Sequence, residues 1–174
     1  MWNVKFARRA LACIILTALW LPATAQSAQL PAASGAVVLR IDGDIENTTA
    51  DGVAALDLAS LEALPTVSMT TSTPWTVGLT TFEGVLLKDV LLLVGAKGQS
   101  ITVAAINDYS VTFPAEDEIG LQPIIAYKVN GELMSVRDKG PLWIVYPYDQ
   151  NPAAQSETYY GRSIWQLVHI TVTP

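Results

Sequence analysis

Cysteine and histidine each occur once in this sequence, at Cys13 and His169. A lone thiol allows no internal disulfide, and one histidine with one cysteine falls short of the ligands of an ordinary structural zinc site. Nucleophilic hydrolysis would have to use His169 as its base, and no Gly-x-Ser-x-Gly turn is present to carry the nucleophile. Basic residues are also scarce, ten against sixteen acidic ones. Such a balance excludes nucleic acid as a partner, because that binding rests on neutralising phosphates. No apolar run approaches the roughly 20 residues that a helix needs to cross a bilayer. The longest, Ala10 to Leu21, has twelve.

That run has a recognisable context. Lys5, Arg8 and Arg9 precede it, and Ala23-Thr24-Ala25 supplies small residues behind it. This is the layout of a cleavable signal peptide over residues 1–25, which predicts a periplasmic or secreted protein with no membrane span after cleavage. Arg8-Arg9 is a partial match to the twin-arginine signal of proteins exported folded. The strongly apolar Ile14 to Leu21 suits export of an unfolded chain. Cleavage would remove Cys13 and three basic residues, leaving seven basic against sixteen acidic, a charge of −9 with His169 neutral.

The remaining 149 residues suffice for one domain. Residues 26–35, rich in Pro, Ala and Ser, read as a flexible lead-in to a domain over 36–174. Strands are expected at Ala36 to Asp42, Thr66 to Ser72, Ser100 to Ile106, Tyr109 to Phe113, Ile124 to Val129, Leu142 to Tyr146 and Ile164 to Val172. A short helix is expected from Leu58 to Leu64, with Asp57 capping its first amides and Pro65 ending it. A second, from Leu86 to Val94, is apolar nearly all round and so is expected to be buried on most sides. Turn signals fall at Asn107-Asp108, Asn130-Gly131, Gly140-Pro141 and Pro147 to Ser156. More strands than helices gives an α+β domain with a mixed, largely antiparallel sheet and short helices.

Three constellations could carry chemistry. Asp42, Asp44 and Glu46 alternate like the first ligands of a calcium loop, yet Asn47 and Val53 stand where that loop needs glycine and glutamate, so a solvated hairpin turn is expected. Glu116-Asp117-Glu118 reads as the start of a short helix, its carboxylates facing the positive end of the dipole. The third constellation is aromatic. Trp143, Tyr146, Tyr148, Tyr159, Tyr160 and Trp165 crowd the last part of the chain beside Arg162. Rings with one guanidinium can stack a planar ligand and pair its anionic group, or the rings can simply fill the core, where Trp143 and Trp165 are expected. The candidate ligand-binding residues are Trp75, Tyr109, Tyr146, Tyr148, Tyr160 and Arg162. No catalytic residue and no metal ligand is assigned.

Phe82-Glu83-Gly84-Val85-Leu86-Leu87-Lys88-Asp89-Val90-Leu91-Leu92-Leu93-Val94-Gly95 resembles a segment of the molybdopterin-binding domain of the sulfite oxidase family. Asn107 to Pro114 is similar to that family's Asp-Gly-Tyr segment, and Ala126 to Glu132 to its Asn-Gly-Glu turn. Gly140-Pro141-Leu142 and the closing Trp165 to Val172 strand follow in order, so the likeness spans about residues 36–173. It implies that fold, with molybdopterin as the cofactor. In the family, a cysteine thiolate just before the Phe82 element ligates molybdenum. Here that stretch reads Met69-Thr70-Thr71-Ser72-Thr73-Pro74-Trp75, without cysteine. Many members also carry basic residues where this chain has Trp143 and Ile164.

The resulting expectation is a relative without cofactor, acting as a module that binds a small anionic or planar ligand or a membrane sensor protein. A molybdopterin-dependent oxidoreductase with a non-cysteine ligand, or with a thiolate borrowed from another subunit, is the alternative. A structural envelope protein is a third.

Overall fold

The computed structural model describes residues 29–174. The expected signal peptide, its arginine pair, Cys13 and the first part of the expected lead-in lie outside the described residues. In chain order the strands are β1 (Val37–Gly43), β2 (Ala54–Asp57), β3 (Thr66–Thr71), β4 (Thr80–Leu86), β5 (Ser100–Ala105), β6 (Ser110–Pro114), β7 (Ile124–Val129), β8 (Glu132–Leu133), β9 (Trp143–Val145) and β10 (Leu167–Thr173). The helices are α1 (Leu58–Glu62), α2 (Leu87–Leu93) and α3 (Glu157–Arg162).

The strands form two sheets. One runs β2-β1-β10-β5-β6, antiparallel except for the parallel pair of β1 and β10. The other runs β3-β4-β7-β8, with β9 on the same side of β7 as β8, and is antiparallel throughout. This is the α+β architecture that the sequence predicts, with one parallel pair in an otherwise antiparallel arrangement.

Side-chain alternation explains how the sheets share cores. In β5 the odd positions Ile101, Val103 and Ala105 are buried and the even ones are half-buried, the period of a strand with one covered face. In β7 both faces are covered. Ile125 and Tyr127 join the main core with Leu39, Ile41, Val90 and Ile170, whereas Ile124 and Ala126 join a smaller core with Met69, Phe82 and Trp143. The buried part of β7, Ile124 to Tyr127, therefore reads as a continuous run without charge. β4 meets it through a register shift between Glu83 and Gly84, where a Cβ on Gly84 would come within 2.1 Å of the Ile125 carbonyl oxygen.

Local signals behave as their chemistry requires. Asp57 caps α1, its Oδ1 accepting from Ser60 N at 2.8 Å. Its Oδ2 accepts from Ser34 N at 2.7 Å and Gly35 N at 2.8 Å. The expected flexible lead-in is therefore held from Gln29 onward, since Leu30 N also donates to Thr48 O at 2.9 Å. Asn130 and Gly131 both take positive φ, 50° and 85°, and close the β7–β8 hairpin.

Other expectations are corrected. The hairpin expected at Asp42 to Glu46 joins β1 to β2 by a longer excursion, 44–53, on which Glu46 N and Asn47 N reach Val94 O at the end of α2. The three carboxylates do not converge there: Asp42 meets His169 Nε2 at 3.0 Å and Glu46 meets Lys97 at 2.6 Å. Residues 116–118 form a bend and the start of a turn rather than a helix. Asp117 Oδ1 instead accepts from Ile119 N at 3.0 Å and Leu121 N at 2.9 Å, an alternative to helical pairing. In α2, Val90 and Leu91 are buried but Leu92 is 77% exposed, because one side of the short helix is left uncovered. No helix among the described residues is long and apolar enough to cross a membrane.

Candidate ligand site

Residues 72–79 connect β3 to β4. Asp149 fastens their beginning, its carboxylate accepting from Ser72 N at 2.6 Å and Ser72 Oγ at 2.5 Å while its own N–H donates to Thr71 Oγ1 at 3.2 Å. The Ser72 hydroxyl and then its amide hold the Asp149 carboxyl below its usual pKa. Thr73 Oγ1 accepts from Trp75 N at 3.1 Å and pairs with Thr76 Oγ1 at 2.9 Å, which sets the direction in which Trp75 leaves the loop.

Trp75 is the hub of an aromatic cluster. Its ring lies edge-on to Trp165 at 5.5 Å, to Tyr160 at 5.8 Å and to Trp143 at 5.9 Å between centroids. Trp143 is buried as expected, packed on Phe82 at 5.3 Å with its Nε1 donating to Ser163 O at 3.3 Å. Trp165, expected in the core, leaves 37% of its surface exposed, because it precedes β10 and only bridges to Trp143.

Between Trp75, Tyr109, Tyr160 and Trp165 opens a cavity of about 420 Å³. Four separate segments supply its wall: the β3–β4 connection, the β5–β6 turn with Asn107 and Tyr109, helix α3 with Glu157 and Tyr160, and the approach to β10. Its size falls in the range of small-molecule sites, roughly 300–1,000 Å³.

The other candidates are placed elsewhere. Tyr146 and Tyr148 are each 1% exposed in the main core, and burial drives both phenols well above their usual pKa. Tyr148 OH pairs with Ser163 Oγ, which itself donates to Tyr159 O at 2.9 Å. Arg162 is buried and turned away from the cavity. It stands 3.8 Å from Asp117 Oδ2 and from Glu118, over the rings of Phe113 and Tyr159. The structure thus brings Trp75, Tyr109 and Tyr160 together at the cavity and leaves Tyr146, Tyr148 and Arg162 out of its lining, although the Tyr148 ring packs on Tyr160 at 5.4 Å between centroids. Glu157 and Trp165 complete the wall. Glu157 lies one helical turn before Tyr160, a spacing that puts both on one face of α3.

The family model for the oxidoreductase molybdopterin binding domain matches residues 38–150. The chain belongs to that family. No curated protein matches the sequence. The described residues of the stretch where this family places its metal ligand do not fit a ligated molybdenum. Ser72 and the threonines around it offer neutral hydroxyls, poor substitutes for a soft thiolate, and the Asp149 carboxylate already occupies the Ser72 donors. The aromatic cavity, in turn, has no basic residue among its described lining to pair with a phosphate. No group of three or more His, Cys, Asp or Glu among the described residues is arranged to hold a metal ion.

Proposed function

We propose that this member of the molybdopterin-binding oxidoreductase family works outside the cytoplasm without the cofactor, as a domain that binds a small ligand and presents its state to a membrane sensor protein. One observation carries the reading. On the stretch where the family resemblance expects the thiolate, Asp149 is closed onto Ser72 with two short hydrogen bonds. A carboxylate there repels the negatively charged pterin dithiolene that a thiolate-bound metal would bring. The fold is kept, and an aromatic cavity stands a few residues along the same loop, at Trp75. Fold alone does not confer activity.

The planar-ligand expectation rests on Trp75, Tyr109 and Tyr160. The anionic expectation loses its support, because Arg162 pairs with Asp117 and Glu118 instead of facing these rings. The sixteen acidic residues of the chain favour a basic or neutral partner surface.

Metal analysis and pterin fluorescence of protein recovered from its native exported compartment test the proposal. We expect neither molybdenum nor pterin at stoichiometric level. Recovery of both would overturn the reading in favour of an oxidoreductase with an unusual metal ligand.

A further inference from the structure

The cavity between Trp75 and Trp165 has a chemical character beyond its size. Its walls are four aromatic rings, Trp75, Tyr109, Tyr160 and Trp165, and the charged side chain on its rim is a carboxylate, Glu157. Tyr109 is 52% exposed and Trp165 37%, so both indole and phenol surfaces meet solvent at the mouth. The Trp75 ring stands at 83° to Tyr160 and at 75° to Trp165, forming corners rather than a parallel slot. A parallel slot suits a flat heterocycle. A corner offers ring faces to a compact, rounded group.

Electrostatics points the same way. The face of an aromatic ring is the negative side of its quadrupole, and converging faces attract an organic cation. The cluster already takes one ammonium from the chain itself, since Lys139 Nζ lies 5.7 Å from the Trp143 ring centroid, and Trp143 is in edge contact with Trp75 and Trp165. The nearest guanidinium in sequence, Arg162, is buried on the far side against Asp117. Ser163, also on the wall, has its hydroxyl committed to Tyr148 and to the Tyr159 carbonyl. What remains for a ligand is ring faces, the Asn107 amide and the Glu157 carboxylate.

We infer that this cavity binds a small quaternary ammonium compound, its methylated nitrogen among Trp75, Tyr160 and Trp165 and its remaining polar end toward Asn107. Glu157 supplies long-range attraction rather than a contact ion pair. This inference rests on the ligand-binding reading above and narrows it to one chemical class.

Choline, tetramethylammonium and the uncharged tert-butyl analogue of choline, titrated against the full protein and followed by tryptophan fluorescence and calorimetry, provide the test. Both cations are expected to bind saturably, with choline roughly ten-fold tighter than its uncharged analogue. Glu157→Gln should weaken choline binding by roughly three-fold, an effect that fades as salt is raised. Trp165→Leu should remove binding. Because Trp75 also packs on the small core, Trp165→Leu and Tyr109→Leu at the exposed mouth are the informative variants, with retained thermal unfolding as the check on folding. Equal affinity for the uncharged analogue, or choline binding unaltered in a folded Trp165→Leu protein, would overturn the inference. Stoichiometric molybdenum and pterin would remove the underlying reading as well. A metal-free protein that is stabilised by neutral heterocycles and ignores every ammonium would keep that reading and remove this one.

Discussion

Two carboxylates fasten loops to the body of this protein, and both have their pKa lowered by the hydrogen bonds they accept. Asp57 holds the amides of Ser34, Gly35 and Ser60 at once, and the Ser60 hydroxyl is the largest cause of its shift, followed by the Ser60 amide. A carboxyl whose folded pKa lies below its ordinary 3.8 contributes stability that is present above that value. The contribution is lost as pH falls from there toward the lowered value. Asp57→Ala is therefore expected to lower Tm by roughly 5 °C at neutral pH. The gap between the two proteins should shrink below about pH 4, where the carboxyl of the unfolded chain takes up a proton while the folded one stays ionised. Thermal unfolding followed by circular dichroism at neutral and acid pH checks both statements. At Arg162 the expectation concerns burial. Arg162→Met leaves the Asp117 carboxylate in a site that is only 6% exposed with no cation beside it, and should cost about 3 kcal/mol in chemical denaturation. Much of that loss should return when Asp117→Asn is added.

The register of β4 on β7 depends on one missing side chain. Gly84→Ala would put a methyl 2.1 Å from the Ile125 carbonyl oxygen, a backbone atom with no room to retreat inside the second sheet. We expect that variant to be recovered largely unfolded, with soluble yield and proton chemical-shift dispersion as the measures, while Gly161→Ala, whose Cβ would meet nothing within 4 Å in helix α3, should fold. Elements written into local chemistry were legible in the sequence: the alternation of β5, the Asp57 cap and the Asn130-Gly131 turn each follow from residues close together in the chain. Elements defined by distant partners were not. β2 has only Ala54–Asp57, and pairing with β1 makes it a strand. Helix α3 contains two tyrosines and Gly161 in six residues, a poor helical composition overridden by tertiary packing. The same division applies to the site. Aromatic crowding late in the chain announced Tyr160 and Trp165, and Trp75 and Tyr109 stood among the candidates, but residue counts carry no direction. Which way Arg162 points, and that Glu157 takes its place at the wall, are decided by the turn of α3 and by Asp117 from another segment.

At the scale of the molecule, two buried phenols limit the alkaline range. Tyr146 and Tyr148 ionise freely near pH 10 only in the unfolded chain, because burial raises their pKa in the folded one. The unfolded state therefore loses protons first, and stability falls as pH rises past about 10. An ultraviolet titration should show their phenolate absorbance arriving together with loss of near-ultraviolet circular dichroism, and Tyr146→Phe should move the transition to higher pH. A further consequence follows from the strand order. The final strand, β10, lies inside the first sheet with β1 on one side and β5 on the other, so residues near position 40 and near position 103 have no common neighbour until residues 167–173 arrive. A chain made from its N-terminus cannot complete that sheet early; its two halves, the β2–β1 pair and the β5–β6 pair, stay apart until residues 167–173 close the gap. A protein built this way keeps one sheet open until residues 167–173 are in place, and then commits to its shape in one late step.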